Sequence, residues 1–215
     1  VYGDIGTSPL YSIKEVFGGA PTEACTAPVH PHRPELGQRA FSLGPRLWID
    51  RQDFAEVPVN GEHRLTPGEH VRLKYGFIVE CLGSRKNEQG QVVSVQARVL
   101  PGTKSGTPDA EQTKVKATIT WVGLHEAVAA EIRLFEHLFV VPRMDEVDDG
   151  DFRRHLNPTS RRIAHGWVEP TLAALAPEQH VQLERLGYFV SDRCDHRTDA
   201  AVFNRVTSLR GPRPR

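Results

Sequence analysis

The sequence lacks the features of a membrane-spanning or disulfide-stapled protein. No run of about 18 apolar residues occurs, which excludes a transmembrane helix. The only cysteines are Cys25, Cys81 and Cys194, widely spaced and without a C-x-x-C pair, so a disulfide framework is not expected. Val1–Ala20 has neither the basic start nor the apolar centre of a secretory signal. We therefore expect a cytoplasmic protein.

An excess of one sign of charge is also missing. Lys and Arg number 27 and Asp and Glu number 27, so the formal net charge is zero. A generally basic nucleic-acid surface is thereby excluded, and any RNA site must be a local patch. The apolar fraction of 39% and charged fraction of 25% are those of a globular chain. The 18 glycines and 16 prolines predict many turns between short elements.

Catalytic and metal-binding motifs are absent as well. The sequence contains no G-x-S-x-G motif and no P-loop. His30-x-His32 and Cys194-x-His196 lack a second ligand pair at tetrahedral spacing. The acidic run Asp145–Asp151 is typical of a solvated loop. We expect no metal, no cofactor and no intrinsic enzymatic activity in this chain.

Strand-like alternation dominates from Leu47 onward, without heptads or internal repeats. Val71–Cys81 alternates apolar and polar residues and predicts one strand with a single buried face. Asn87–Gly90 is a hairpin signal, and Val93–Val99 reads as the return strand. Further strands are predicted near Val115–Trp121, with Lys116, Thr118 and Thr120 pointing outward, and near His180–Val190 and Val202–Leu209.

Two segments depart from this pattern. Ser8 and Pro9 suit the start of a short helix over Leu10–Phe17. Glu131–Val141 fits a strand and a helix equally well. The overall prediction is an all-β protein, a barrel or a sandwich, and the interruption of the core pattern after Val141 favours two barrels.

RNA binding is the best physical candidate for function. Arg72 and Lys74 share the outward face of one predicted strand, so one ligand can meet both charged ends. Arg64 precedes them across a turn, and a guanidinium suits guanine edges and phosphates. Gln182 can donate to and accept from a base edge. The alternative is that these are ordinary solvent-facing strand residues.

A long series of stretches resembles the C-terminal anticodon-binding region of bacterial glutaminyl-tRNA synthetase, between Val29 and Arg210. The stretches in chain order are His30–Arg39, Leu47–Phe54, Arg64–Lys74, Lys114–Val122, Ala130–Phe139, Leu156–Pro158, Val168–Pro170, Gln182–Phe189 and Val202–Leu209. Nine such strings in order make the resemblance specific.

The resemblance implies a fold of two β-barrels and a set of base-reading residues. That set is Arg64, Arg72, Lys74, Gln182 and Arg185. Arg64 corresponds to the contact with the third anticodon base, Arg72 and Lys74 to contacts near the first, and Gln182 to the contact with the middle uridine. Arg185 belongs to the same neighbourhood as Gln182, and Glu184 between them is expected to orient one of the two. Lys74 stands where an Arg is also common.

The family's reaction, ATP- and Mg²⁺-dependent attachment of glutamine to tRNA, requires a catalytic domain with HIGH-type and KMSKS-type motifs, and neither occurs in this sequence. The resemblance therefore implies a monomeric recognition fragment whose partners are the tRNA(Gln) anticodon loop and the synthetase's catalytic domain. It implies no membrane partner.

Residues 1–11 resemble something else, the start of the first membrane helix of potassium-uptake permeases. We therefore expect three parts: an extraneous, poorly ordered segment over residues 1–28, an anticodon-binding domain over 29–210 and a basic tail over 211–215. Three alternatives stay open: a related synthetase with glutamate specificity, a non-enzymatic β-barrel interaction module, and a transporter fragment.

Overall fold

The computed structural model describes residues 2–3, 5–7, 10–14, 22–58, 61, 63–108, 110, 113–147 and 150–209, and these residues form mainly strands. The strands are β1 (Tyr2–Gly3), β2 (Ile5–Thr7), β3 (Leu10–Lys14), β4 (Glu23–Pro28), β5 (Gln38–Leu43), β6 (Arg46–Asp50), β7 (His70–Leu73), β8 (Ile78–Lys86), β9 (Val92–Val99), β10 (Thr118–Ile119), β11 (Trp121–Gly123), β12 (Val128–Phe135), β13 (Arg161–Val168), β14 (His180–Leu183), β15 (Gly187–Ser191) and β16 (Ala201–Ser208). The short helices are α1 (Pro170–Ala173) and the 3-10 turns Pro34–Leu36, Arg51–Asp53, Met144–Glu146 and Phe152–His155.

These strands build two seven-stranded sheets and one two-stranded sheet. Sheet I has the order β10-β7-β8-β9-β3-β6-β11, sheet II has the order β1-β14-β15-β16-β12-β13-β2, and β4 pairs with β5. The all-β prediction is confirmed. The prediction of two barrels is not, because neither seven-stranded sheet closes on itself within the described residues.

Each large sheet carries its own hydrophobic core. Core I lies on sheet I and includes Leu47, Leu73 and Trp121, joined by Cys25 and Phe41 of the two-stranded sheet. Core II lies on sheet II and includes Ala130, Ile132, Val168, Leu172, Ala173, Val181, Leu183, Phe189, Ala201 and Phe203. The apolar alternation thus anticipated two cores and marked most of their buried faces. It failed at Val93, which is 49% exposed, and the cores divide between Trp121 and Ala130, before the predicted break after Val141.

The predicted strand over Val71–Cys81 is in fact two strands. β7 and β8 form an antiparallel hairpin that turns at Lys74–Gly76, where Tyr75 adopts a left-handed φ of 57°. A two-residue apolar period continues through the turn, so it does not reveal the reversal. The second hairpin, at Asn87–Gly90, is confirmed, and the Asn87 carboxamide oxygen accepts from the backbone N–H groups of Gln89 and Gln91.

The helix predicted over Leu10–Phe17 is wrong where the structure describes it. Leu10–Lys14 is β3, which lies between β6 and β9 and pairs with both. Tertiary pairing of this kind overrides local helix signals because the backbone donors and acceptors of both neighbours are satisfied. Ser8, Pro9 and residues 15–17 lie outside the described residues. Across the part of the chain that is described, no helix has the length and apolarity needed to span a membrane.

Two smaller expectations are also settled. The ambiguous segment Glu131–Val141 is a strand as far as Phe135, because β12 pairs with both β13 and β16. Thr120, expected to point outward, is buried between the short strands β10 and β11. The alternation breaks at Thr120 because the chain moves from one edge of sheet I to the other. β10 pairs with β7 at the first edge, and β11 pairs with β6 at the opposite edge.

A hairpin of the same build occurs in both sheets. β7 and β14 share the pattern His-Val-x-Leu, at residues 70–73 and 180–183, and each is followed by a tight turn and an antiparallel strand. The second turn places Arg185 at a left-handed φ of 67°, matching Tyr75 in the first. Gly187 follows with a φ of 151°, and a Cβ there would meet the Thr207 carbonyl oxygen at 2.4 Å. The sequence thus contains a short repeat that its period-2 pattern conceals.

Candidate nucleic-acid interface

The turns of the two repeated hairpins meet at the junction between the sheets. Lys74, directly after β7, forms an ion pair with Glu184, directly after β14. Glu184 is buried and Lys74 is about one-third exposed, with its Nζ 5.3 Å from the centre of the Tyr75 ring. Glu184 was expected to orient Gln182 or Arg185, but the partner identified by the structure is Lys74. This ion pair joins turns more than 100 residues apart in sequence.

Arg185 makes a second ion pair across the same junction. Its two terminal nitrogens donate to the two carboxylate oxygens of Asp53 at 2.6 and 2.7 Å. Asp53 ends the 3-10 turn Arg51–Asp53, which starts with the Asp50 carboxylate accepting from the Gln52 N–H. Burial raises the pKa of the Asp53 carboxyl, and the hydrogen bond and charge of Arg185 oppose that rise only in part. The two-pronged geometry fixes the direction of the Arg185 guanidinium.

Arg64 lies beside this pair and opens onto a separate cavity. The Leu65 N–H donates to the Asp53 carbonyl at 2.7 Å, and the Arg64 charge acts to lower the pKa of Asp53. The cavity has a volume of about 200 Å³ and is lined, among others, by His63, Arg64, Glu69, His70 and Lys116. Basic side chains outnumber the single carboxylate, so the cavity favours an anionic or acceptor-rich ligand.

Arg72 has a different role from the one its position on β7 predicts. Its guanidinium donates to the backbone carbonyls of Thr103 and Ala110, at 3.2 and 2.7 Å. Arg72 is half-buried, and these bonds hold the loop between β9 and β10 against β7. Lys74 lies in the turn after β7 and not on the strand, and Arg72 and Lys74 contact different partners in this structure.

Gln182 lies on β14, two residues before Glu184, and its side chain is on the exposed face of sheet II. It stands opposite Tyr188 in the β14–β15 ladder. A cavity of about 210 Å³ is lined by both residues together with His30, His180 and Val206. His30 comes from the loop before β5, so the two-stranded sheet borders this cavity as well.

Two further contacts fix the sheets relative to one another. Arg39 of β5 forms a fully buried ion pair with Glu169, which precedes α1. Trp48 of β6 and Trp167 of β13 stack with ring centres 5.6 Å apart and an interplanar angle of 2°. Three ion pairs and one aromatic stack therefore join the sheets, and of the five candidate residues only Lys74 and Arg185 take part in these contacts.

Sequence reasoning found the cations at this interface and missed one of their acidic partners. Asp53 was included in the stretch Leu47–Phe54 but was assigned no role. The spacing of Asp50 and Asp53 could have identified Asp53. An Asp that caps a short turn predicts the turn itself, and the second Asp then stands at the end of that turn. Among the described residues, no group of three His, Cys, Asp or Glu side chains is placed to hold a metal ion.

Comparison with protein families gives two adjoining matches. Residues 10–100 and residues 118–192 each match a model described as tRNA synthetases class I (E and Q), anti-codon binding domain. The first match begins at residue 10, and the permease resemblance expected for residues 1–11 finds no support in either match.

Comparison with curated proteins gives close relatives over nearly the whole chain. The glutamine–tRNA ligase of Ralstonia nicotianae is 48% identical over 204 residues, which is 94% of this chain and 35% of the relative. The ligases of Cupriavidus necator and Bordetella pertussis are 46% and 47% identical over 202 residues, again 94% of this chain and 34% of each relative. The chain thus spans about a third of the length of these relatives.

Proposed function

Because the chain belongs to the anticodon-binding domain family of class I tRNA synthetases for glutamate and glutamine, we propose that it recognises the anticodon loop of tRNA(Gln). The longer relatives are named glutamine–tRNA ligase, and this chain spans about a third of their length. The proposed role of this chain is recognition. ATP, Mg²⁺ and the aminoacylation chemistry belong to a catalytic domain, and the catalytic domain is the second proposed partner.

The observation that carries the proposal is the junction between the two sheets. Lys74, Glu184, Arg185 and Asp53 form two ion pairs there, and Arg64 lies next to the second. The two ion pairs are each neutral, and Asp50 and Arg64 both act on the Asp53 carboxyl. The local excess of positive charge therefore lies at the Arg64 cavity, where Arg64 and Lys116 face the single carboxylate of Glu69 in a chain with no net charge. A local basic patch of this kind is what an RNA site on a neutral protein requires.

Arg64 is the side chain best placed to read a base. It lines a polar cavity open to solvent, and a guanidinium donates to the O6 and N7 acceptors of guanine in a two-pronged arrangement. The third base of a CUG anticodon is guanine. We propose that Lys74 and Arg185 also bind RNA. Their ion pairs with Glu184 and Asp53 fix the two side chains before RNA binds, which reduces the entropy cost of binding.

An exposed apolar surface supports the second partner. The connection between β12 and β13 carries large exposed apolar side chains, among them Leu138, Val140 and Phe152, flanked by Phe135 and Ile163 of the two strands. Exposed apolar groups along one extended hairpin are typical of a protein–protein contact. We propose that this hairpin contacts the remainder of a synthetase.

The proposed function is tested by binding of labelled anticodon stem-loops to the full chain. We expect a CUG loop to bind about 10–100-fold more tightly than loops with the middle base changed or with a CUC anticodon, since each wrong base leaves polar groups unpaired. The CUC loop also tests glutamate specificity. A titration at two salt concentrations separates base reading from general charge attraction. Equal affinities that fall together with salt would contradict anticodon recognition.

Replacing Arg64 by alanine should weaken binding of the CUG loop about 10–100-fold and binding of the CUC loop much less, because the lost contact is to the third base. Lys116→Ala is the matched control, since Lys116 lines the same cavity. It should weaken all loops alike and lower the salt dependence. If Arg64→Ala behaves in the same uniform way, Arg64 contacts phosphate and does not read a base.

A further inference from the structure

We propose that Tyr188 is the stacking platform for the base that Gln182 reads, and so a base-binding residue of this surface. The inference rests on the proposed function and adds a residue that the sequence stretches did not single out for RNA. Single-stranded bases are bound by combining hydrogen bonds to their edges with stacking on an aromatic side chain. Gln182 supplies the first of these, and the structure points to Tyr188 for the second.

The register of sheet II places the two side chains next to each other. Gln182 and Tyr188 are direct partners in the antiparallel β14–β15 ladder, so their side chains lie on the same face of the sheet. The next residue, Phe189, points the other way and is buried in core II. Tyr188 is 46% exposed, so nearly half of its surface reaches solvent beside an amide.

The cavity around the pair has the chemistry of a base site. None of the described residues that line it is acidic, so nothing there repels an RNA backbone. Val206 adds an apolar wall, and His30 and His180 add polar ring edges. The volume of about 210 Å³ is below the range of about 300–1,000 Å³ typical of sites for drug-sized ligands. A site this small suits one planar ring.

Stacking on Tyr188 offsets the free energy that a base loses when it leaves the stack of the anticodon loop. A base taken out of the loop stack loses its neighbours, and an amide contact alone does not replace them. Stacking on an aromatic side chain contributes about 1–3 kcal/mol per base, which corresponds to about 5–150-fold in affinity. Tyr188 therefore supplies affinity for any base in the site, while Gln182 supplies the preference for uridine.

The test uses Tyr188→Ala, Tyr188→Leu and Tyr188→Phe in the full chain, with CUG loops that carry either uridine or an abasic sugar at the middle position. We expect the Ala and Leu variants to bind the uridine loop about 5–150-fold more weakly, and the Phe variant to bind nearly as the parent does. On the abasic loop the three variants and the parent should bind alike. Leu82→Ala removes an exposed apolar side chain of sheet I that does not line the cavity, and this change should leave binding of both loops unaltered.

Each outcome decides the matter. Selective CUG binding by the parent with no loss in the Ala and Leu variants would overturn the stacking role and leave anticodon recognition standing. An equal loss on uridine and abasic loops would also overturn it, because the contact would then not be to that base. Failure of the parent to prefer CUG would overturn the proposed function and this inference together. Thermal unfolding of each variant confirms that it is folded, and the Leu variant keeps the apolar contact area should the Ala variant unfold.

Discussion

Arg39→Ala should lower the free energy of unfolding by about 3–5 kcal/mol, because it leaves a carboxylate buried without its cation. Arg39 is 4% exposed and its partner Glu169 is 2% exposed, so water cannot solvate the Glu169 carboxylate once Arg39 is removed. The Arg39 guanidinium also stands 5.2 Å from the centre of the Phe41 ring and 5.7 Å from that of Tyr75. The loss therefore reaches core I and the turn that presents Lys74.

Urea unfolding of the variant, compared with the parent chain, measures this loss. Arg33→Ala is the matched control, since Arg33 pairs with Glu35 at 2.9 Å on the same segment but both side chains are largely exposed. That change should cost about 0–1 kcal/mol. A double variant, Arg39→Met with Glu169→Met, should be more stable than Arg39→Ala because no charge remains buried. Equal stability of the Arg39 and Arg33 variants would show that the buried pair contributes little.

Arg185→Ala should lower the free energy of unfolding by about 2–3 kcal/mol at neutral pH, and the loss should shrink as the pH falls. Burial already raises the pKa of the Asp53 carboxyl above its ordinary value, and removal of the Arg185 hydrogen bonds raises that pKa further. A raised pKa means that the folded state binds the proton more tightly than the unfolded state does. Above the raised pKa, the ionised Asp53 carboxylate therefore lowers the free energy of unfolding. As the pH falls from the raised pKa to the ordinary value of about 3.9, protonation of this carboxyl in the folded state removes that loss.

Unfolding midpoints of parent and variant between pH 7 and pH 4 check this prediction, since effects common to both chains cancel in the difference. In an Asp53→Asn background, Arg185→Ala should cost little, because the charge it balances is gone. Arg193→Ala is the exposed control: Arg193 pairs with Glu178 at 2.6 Å with both side chains largely in solvent. A loss in Arg185→Ala that is constant across this pH range would contradict the coupling to Asp53.

The Lys74–Glu184 and Arg185–Asp53 ion pairs also affect how RNA-binding data on variants of this surface are interpreted. Loss of RNA binding in an Arg185 or Lys74 variant combines a missing contact with a disturbed junction, because each cation holds a buried carboxylate of the opposite sheet. Tyr188 is a cleaner probe, because it is 46% exposed and carries no charge.

The stretch His30–Arg39 and the short stretch Val168–Pro170 belong to the same resemblance, and the structure gives a physical reason for both. Arg39 ends the first and Glu169 stands in the second, and the two form the buried ion pair. A pairing across 130 residues leaves no local signal in either stretch. Sequence patterns report which side of an element is apolar, and they do not report which distant charge it meets.

The sequence alone determined the all-β class, the two buried faces and the family, because alternation and motif order are properties of neighbouring residues. It also identified Arg64, Arg72, Lys74, Gln182 and Arg185 as candidate RNA-binding residues, a role that remains a prediction. Only the tertiary structure decided that Leu10–Lys14 is a strand between β6 and β9, that Arg72 holds a loop, and that Glu184 and Asp53 are the partners of Lys74 and Arg185. Those outcomes depend on backbone pairing and charge contacts between segments far apart in sequence, whose free energies exceed local preferences of a few tenths of a kcal/mol per residue.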